Sequence, residues 1–154
     1  MSADGSLYID SSSLLKTLWR EPESAAVRNA IAAETRVVVS ALTELETEVQ
    51  LRAQWLGGAY TKKRYETYRA KLESFKSLEP FIFRDLPGTV FRRAIQQHVS
   101  ERKFHCRSLD RLHLGAMSEL GVRRLLTNDH KQAAIARSFG YGVLVPVSRE
   151  SEPE

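Results

Sequence analysis

A chain of 154 residues is the length of one domain and is long enough to bury a sizeable core. Its 23 Lys and Arg against 19 Asp and Glu leave a formal charge of +4, an excess that permits a nucleic-acid partner without demanding one and suits a solvated basic surface equally well. The single cysteine excludes a disulfide framework and a cysteine-based zinc site, no apolar run reaches the ~18 residues of a membrane span, and the first residues lack a signal peptide's pattern, so the expected location is the cytoplasm.

Leu7-Tyr8-Ile9 reads as a short buried strand running into Asp10, then three serines and the helical spacing of Leu14, Leu15, Leu18 and Trp19. One of the serines is the expected N-cap of a helix from about Ser12 to Arg20, with a break at Pro22. Ser24 to Ala33 is Ala-rich and helical, and the β-branched Arg36–Ser40 stretch is the second strand. Ser40 or Thr43 then caps a helix carrying Leu42, Leu45, Val49, Ala53 and Leu56, which Gly57-Gly58 breaks. Thr61 to Ser77 is a second amphipathic segment rich in Lys, Arg and Tyr, and the two helices read as an arm over about 44–78 projecting from the sheet.

Phe81–Arg84 is the third strand, followed by a turn at Pro87-Gly88 and a helix over Val90–Val99. Leu109–Leu120 is helical and stops at Gly121, Arg124–Thr127 is the fourth strand, His130–Phe139 is a helix ending at Gly140, and Gly142–Pro146 is the last strand. Strands alternating with helices imply parallel pairing, hence one doubly wound α/β domain over 1–147 with a short acidic tail at 148–154, expected to fray.

In such a sheet, ligands gather outside the carboxyl ends of the strands. Asp10 ends the first strand and Asp129 lies just past the fourth, while Glu46 and Asp110 lie in early turns of helices. At about 100° per residue, Glu46 borders the stripe of Leu42, Leu45, Val49 and Ala53, expected to face the core, while Glu44 and Glu48 lie beyond its other edge. Asp110 flanks a similar stripe of Leu109, Leu112, Ala116 and Leu120. Carboxylates brought together favour a cation among them, and a hard ion such as Mg²⁺ or Mn²⁺ suits oxygen ligands and phosphodiester hydrolysis. Acids at helix starts serve equally as caps and partners of the macrodipole, a reading that fits Asp110 and Asp129.

These residues resemble a known family. Tyr8 to Lys16 with Glu21-Pro22-Glu23-Ser24, then Ser40-Ala41-Leu42-Thr43 leading to Glu46, Ser108 to Leu114, Leu126-Thr127-Asn128-Asp129 and the closing Gly140 to Pro146 are similar, in order, to PIN-domain ribonucleases. The resemblance is to the VapC-type toxins of toxin–antitoxin pairs and spans about Leu7 to Pro146. It implies a central parallel sheet of five strands in the order 3-2-1-4-5, a helical arm, and a Mg²⁺- or Mn²⁺-dependent endoribonuclease. Asp10, Glu46, Asp110 and Asp129 match the family's acidic cluster, with Asp10, Asp110 and Asp129 as metal ligands and Glu46 orienting or deprotonating water. Thr127 matches the hydroxyl before the last acid, and Ser11 or Ser12 the polar residue after the first. Glu44 is a rival for the second acid, and Asn128 and Arg111 stand where small or apolar residues are more usual. The resemblance also implies an RNA substrate, a homodimer, and a VapB-like antitoxin contacting the arm and the acidic pocket.

Lys16, Arg20 and Arg107, with Arg92, Arg93, Arg102 and Lys103, are candidates to track an RNA backbone, though each taken singly suits a solvated helix face. Trp55, Tyr60, Tyr65, Tyr68 and Phe75 suit a partner groove or packing within the arm, with Trp55 and Phe75 assigned to packing. His113 is expected to be a structural hydrogen-bonding residue and Cys106 a small buried hydrophobe. Two other classes compete with the nuclease: a catalytically inactive PIN-like RNA- or protein-binding module, and a phospho-accepting α/β protein. The latter needs a second aspartate where Ser12 stands.

Overall fold

Five short strands pair side by side in the computed structural model, which describes residues 5–148: β1 Leu7–Ile9, β2 Val37–Ser40, β3 Phe81–Arg84, β4 Arg124–Leu126 and β5 Gly142–Leu144. All pairs are parallel and the order is β3-β2-β1-β4-β5, as expected. In the centre, Tyr8 lies opposite Val38 on one side and Leu125 on the other. The direction of winding reverses at β1, so a crevice opens at the carboxyl ends of β1 and its neighbours. The expected tail over 148–154 falls almost wholly outside the described residues.

Seven helices connect or flank the strands among the described residues: α1 Ser11–Leu18, α2 Ser24–Ala32, α3 Ala41–Leu56, α4 Lys62–Ser74, α5 Val90–Ser100, α6 Ser108–Leu120 and α7 His130–Ser138. The period of two along β1 divides the core into two layers. Leu7 and Ile9 pack with Leu14, Val37, Leu51 and Phe75, while Tyr8 packs with Val38, Leu114, Met117 and Ile135 on the opposite face. None of the described helices is long and apolar enough to cross a membrane.

Three local expectations are corrected. The N-cap of α1 is Asp10 itself, not a serine, because its carboxylate accepts the Ser13 N–H. On α3, Leu45 and Val49 are more than half exposed and Ala53 also faces solvent, whereas the buried line is Leu42, Thr43, Thr47 and Leu51. Thr43 donates to the Ile9 carbonyl at 2.9 Å and Thr47 to the Thr43 carbonyl at 2.7 Å, so both hydroxyls are satisfied and their methyls can pack inward. On α6, Leu109 is half exposed, while Arg111, His113, Leu114 and Met117 are buried.

The arm packs on itself and on α1. Trp55 stacks on Tyr65 at 4.8 Å within the arm, as assigned, Phe75 instead stacks on Phe81 of β3 at 4.4 Å, and Lys71 donates to the Thr17 carbonyl at 2.9 Å.

Gly115 sets how closely α5 and α6 approach. A Cβ there would lie 2.9 Å from the Ala94 Cβ and backbone N, and 3.0 Å from the Val90 carbonyl oxygen. Gly115→Ala must therefore push two helices apart and is expected to destabilise the fold by about 1–3 kcal/mol. A lower urea midpoint with an unchanged m-value would confirm it, and an unchanged midpoint would show that the helices yield freely.

Candidate active site

Asp10 leaves the central strand and enters α1 with its side chain 4% exposed. One oxygen, Oδ1, accepts the Ser12 hydroxyl at 2.6 Å and the Ser13 N–H at 3.2 Å, and the other, Oδ2, accepts the Thr127 hydroxyl at 2.5 Å. Those hydroxyls reach further: Thr127 Oγ1 accepts the Asp129 N–H at 3.0 Å and Ser12 Oγ accepts the Asn128 N–H at 3.0 Å. Ser12, not Ser11, thus supplies the hydroxyl that holds Asp10. Asn128, unusual for its place, accepts the Ser13 hydroxyl at 2.7 Å and donates to the Pro146 carbonyl at 2.8 Å, clamping the β4 exit between α1 and the segment after β5.

Asp129 caps α7 through Oδ1, which accepts the N–H groups of Lys131 at 2.9 Å and Gln132 at 3.2 Å. Gln132 donates to the Asp110 carbonyl at 2.9 Å, tying the start of α7 to the first turn of α6. Burial raises the Asp110 carboxyl above its ordinary range; the Asp129 charge adds to this, as does Glu46, while His113 and Arg107 oppose it. Burial also raises Asp10, against the pull of His113, the two hydroxyls and the Ser13 N–H. Asp110 therefore stands in the field of Asp129 and Glu46, and burial disfavours the charged form of both Asp10 and Asp110.

Glu46 and Glu44 part company. Glu46 meets Nε2 of His113, whereas Glu44 lies 3.4 Å from the Lys76 ammonium and Glu48 accepts from Arg69 at 2.8 Å. His113 is buried, and its Nδ1 lies 2.6 Å from the Tyr8 hydroxyl, which lies 2.7 Å from the Ser40 hydroxyl. Nε2, the ring and Nδ1 thus link Glu46 to the Tyr8 hydroxyl and on to Ser40, one continuous relay from α3 through α6 to the central strand. The hydrogen-bonding role expected of His113 is met, but its partners Tyr8 and Glu46 were not foreseen. The signal was a tyrosine in an otherwise aliphatic buried strand, since a buried phenol needs a partner. Tyr8→Phe leaves His113 and Ser40 each short of a partner and is expected to cost about 1–3 kcal/mol, read as a lower denaturation midpoint.

The candidate cations are distributed unevenly. Lys16 is engaged by Glu21 and Glu23. Arg20 is exposed beside Trp19, Tyr60 and Tyr68, and Arg107 is exposed at the start of α6 beside Asp110. Cys106 is half-buried rather than enclosed, because the 101–107 segment lies at the edge of a cavity.

Among the described residues, no three His, Cys, Asp or Glu side chains are gathered into a set that could by itself enclose an ion. The donors are nonetheless carboxylates and hydroxyls, and Asp10 and Asp110 are disfavoured as anions where they stand. That fits a hard divalent cation of the kind that keeps several waters and takes one or two carboxylates.

The carboxyl edge of a parallel sheet thus carries Asp10 and Asp129 as helix caps, with Asp110 in the first turn of α6, the layout of an α/β domain with an acidic edge. The PIN domain model matches residues 7–138. Ribonuclease VapC46 of Mycobacterium tuberculosis is 30% identical over 142 residues, covering 91% of this chain and 97% of that protein. Among solved structures, the sarcin–ricin loop cleaving toxin VapC20 of Mycobacterium tuberculosis superposes with a TM-score of 0.67 at 12% identity, over 91% of this chain and 99% of that one. A DNA-bound VapBC from Salmonella typhimurium gives 0.67 at 18%, over 91% and 97%. The chain belongs to the PIN-domain family and is of the VapC type.

Proposed function

We propose that this chain is a Mg²⁺- or Mn²⁺-dependent endoribonuclease of the cytoplasm, the toxin of a type II toxin–antitoxin pair, with residues 1–147 as the nuclease unit and the arm at about 44–78. The observation that carries the reading is Asp10: a carboxylate buried at the end of the central strand, raised by its burial, and held open by Ser12 and Thr127. Such a group is costly unless a cation answers it.

Asp10, Asp110 and Asp129 would hold the ion, which when bound supplies Lewis-acid activation of water and of the phosphoryl oxygen. Glu46, oriented by His113, accepts the proton of the attacking water. Ser12 and Thr127 keep the Asp10 oxygens in place, a role in which supporting hydrogen bonds matter greatly. Arg107 offsets the local negative charge as an RNA phosphate approaches, with Lys16 in the last turn of α1 and Arg20 just past its end. In-line attack leaves a 5′-phosphate and a 3′-hydroxyl.

The named relatives support the partners. VapC46 is called a ribonuclease and the Salmonella structure is a DNA-bound VapBC. By analogy, a VapB-like antitoxin would contact the arm and the acidic pocket, and a homodimer would cover apolar surface such as the exposed Leu45 and Val49 of α3. The test is cleavage of RNA by the purified chain with Mn²⁺ or Mg²⁺ and with chelator. Ion-dependent cuts bearing 5′-phosphates are expected. RNA binding without any cleavage in either metal would instead favour the inactive binding module.

A further inference from the structure

Among the described residues, Arg111 is a buried cation that pairs with no carboxylate. Arg111 is 5% exposed, and its Nε and Nη1 are buried with nothing to donate to. Its guanidinium lies 5.6 Å from the centre of the Phe139 ring. Glu101 is near enough to feel the charge, yet it accepts the N–H groups of Lys103 and Phe104 and the Ser138 hydroxyl and forms no ion pair with Arg111. An unpaired buried cation costs several kcal/mol, so the site is built for an anion that arrives from outside.

The surroundings specify that anion. Arg111 lines a cavity of about 480 Å³ between α5, the 101–107 segment and the start of α6, whose apolar wall is Phe91, Ile95, Leu109 and Leu112. A volume of that size holds a small planar ligand, and its wall offers an aromatic face beside aliphatic carbons. The cavity adjoins the acids: Arg111 follows Asp110 in α6, and Cys106, on the cavity wall, lies in the field of Arg111, Asp110 and Asp129 together. A polyanion approaching several carboxylates needs a cation beside them.

We propose that this cavity is a nucleotide subsite that takes one unpaired RNA nucleotide, its phosphate on the Arg111 guanidinium and its base against Phe91, Leu109 and Leu112. Single-stranded RNA is commonly held in this way, with an unstacked base on an aromatic side chain and its backbone on basic groups. The inference rests on the ribonuclease reading.

The test measures binding of a short single-stranded RNA by fluorescence anisotropy between about 50 and 200 mM salt, in an Asp10→Asn background that prevents cleavage. Arg111→Met should weaken binding roughly tenfold and lower the salt slope by about 0.7, the value for one phosphate contact on a single strand, while Arg111→Lys keeps the slope. Phe91→Ala, at a position 59% exposed and so dispensable for folding, should weaken binding at least about fivefold without changing the slope. Removing an unpaired buried charge should leave Arg111→Met as stable as its parent; marked destabilisation would make Arg111 a structural partner of Glu101 and overturn the proposal. Unchanged affinity and slope in both variants would also overturn it. So would loss of self-association in place of RNA affinity, read by light scattering, which would assign the cavity to a second copy of the chain. Absence of cleavage by the parent chain with metal sinks the nuclease reading and the subsite together, whereas cleavage with unaltered affinity in the variants sinks the subsite alone.

Discussion

Asp10→Asn is expected to lower RNA cleavage on the order of 10³-fold or more while leaving the metal-free protein at least as stable as its parent. The activity loss follows from the several kcal/mol that an activating ion contributes, at 1.36 kcal/mol for each tenfold. Stability moves the other way because burial raises the Asp10 carboxyl in the folded state. A group raised on folding contributes stability below its unfolded pKa and loses it as pH climbs through the folded value, so ionised Asp10 is a burden at neutral pH. Asparagine keeps an oxygen for the Ser12 hydroxyl and the Ser13 N–H, and therefore keeps the cap of α1. Thermal unfolding in chelator, from pH 4 upward (about the ordinary carboxylate pKa), should fall less steeply for the variant. Each kcal/mol recovered is worth about 2–4 °C in a chain of this size. Added Mn²⁺ should raise the midpoint of the parent and not that of the variant. A variant that unfolds sooner in chelator and is not rescued would show that Asp10 is a structural anion.

Glu46→Gln and Glu44→Gln should separate by on the order of 10²–10⁴ in kcat, the span of general base catalysis, with only Glu46→Gln impaired. Glu46 is fixed by His113, which is itself fixed by Tyr8 and Ser40. Glu44 faces Lys76 in an exposed pair, whose loss should leave stability almost unchanged. His113→Asn should lie between the two, lowering kcat by freeing Glu46 while leaving its carboxylate in the site. Equal activity of both glutamine variants would remove the base assignment; impairment by Glu44→Gln alone would move it one turn-half along α3.

The strands and the succession of acids were legible because both show as local pattern, short β-branched or aliphatic runs and an acid near where a run meets a helix, whereas the order of the strands in the sheet followed only from the family resemblance. The faces of α3 and α6 were not. Hydropathy treats Thr43 and Thr47 as polar and Leu45 and Val49 as apolar, but a hydroxyl bonded to a nearby carbonyl turns a threonine into a packing residue. Glu46 was singled out by its place beside a stripe that proves to face solvent, and its neighbour in the fold, His113, is 67 residues away in the chain. The Asp10 cap was hidden by the three serines that follow it, any of which has the chemistry of a cap. Contacts between distant segments, such as the Asn128 clamp, have no local signature at all.

Asp10 and Asp129 each open a helix as well as standing among the proposed metal ligands, and this shapes how the chain can drift. An alanine at either position removes a cap, at about 1 kcal/mol, together with the chemistry, whereas asparagine or serine removes only the chemistry. Lineages that lose the activity and keep the fold should therefore pass through Asn or Ser at these two places. In a descendant of this chain, asparagine at both would mark a silenced enzyme retained as a scaffold, and alanine a gene already decaying.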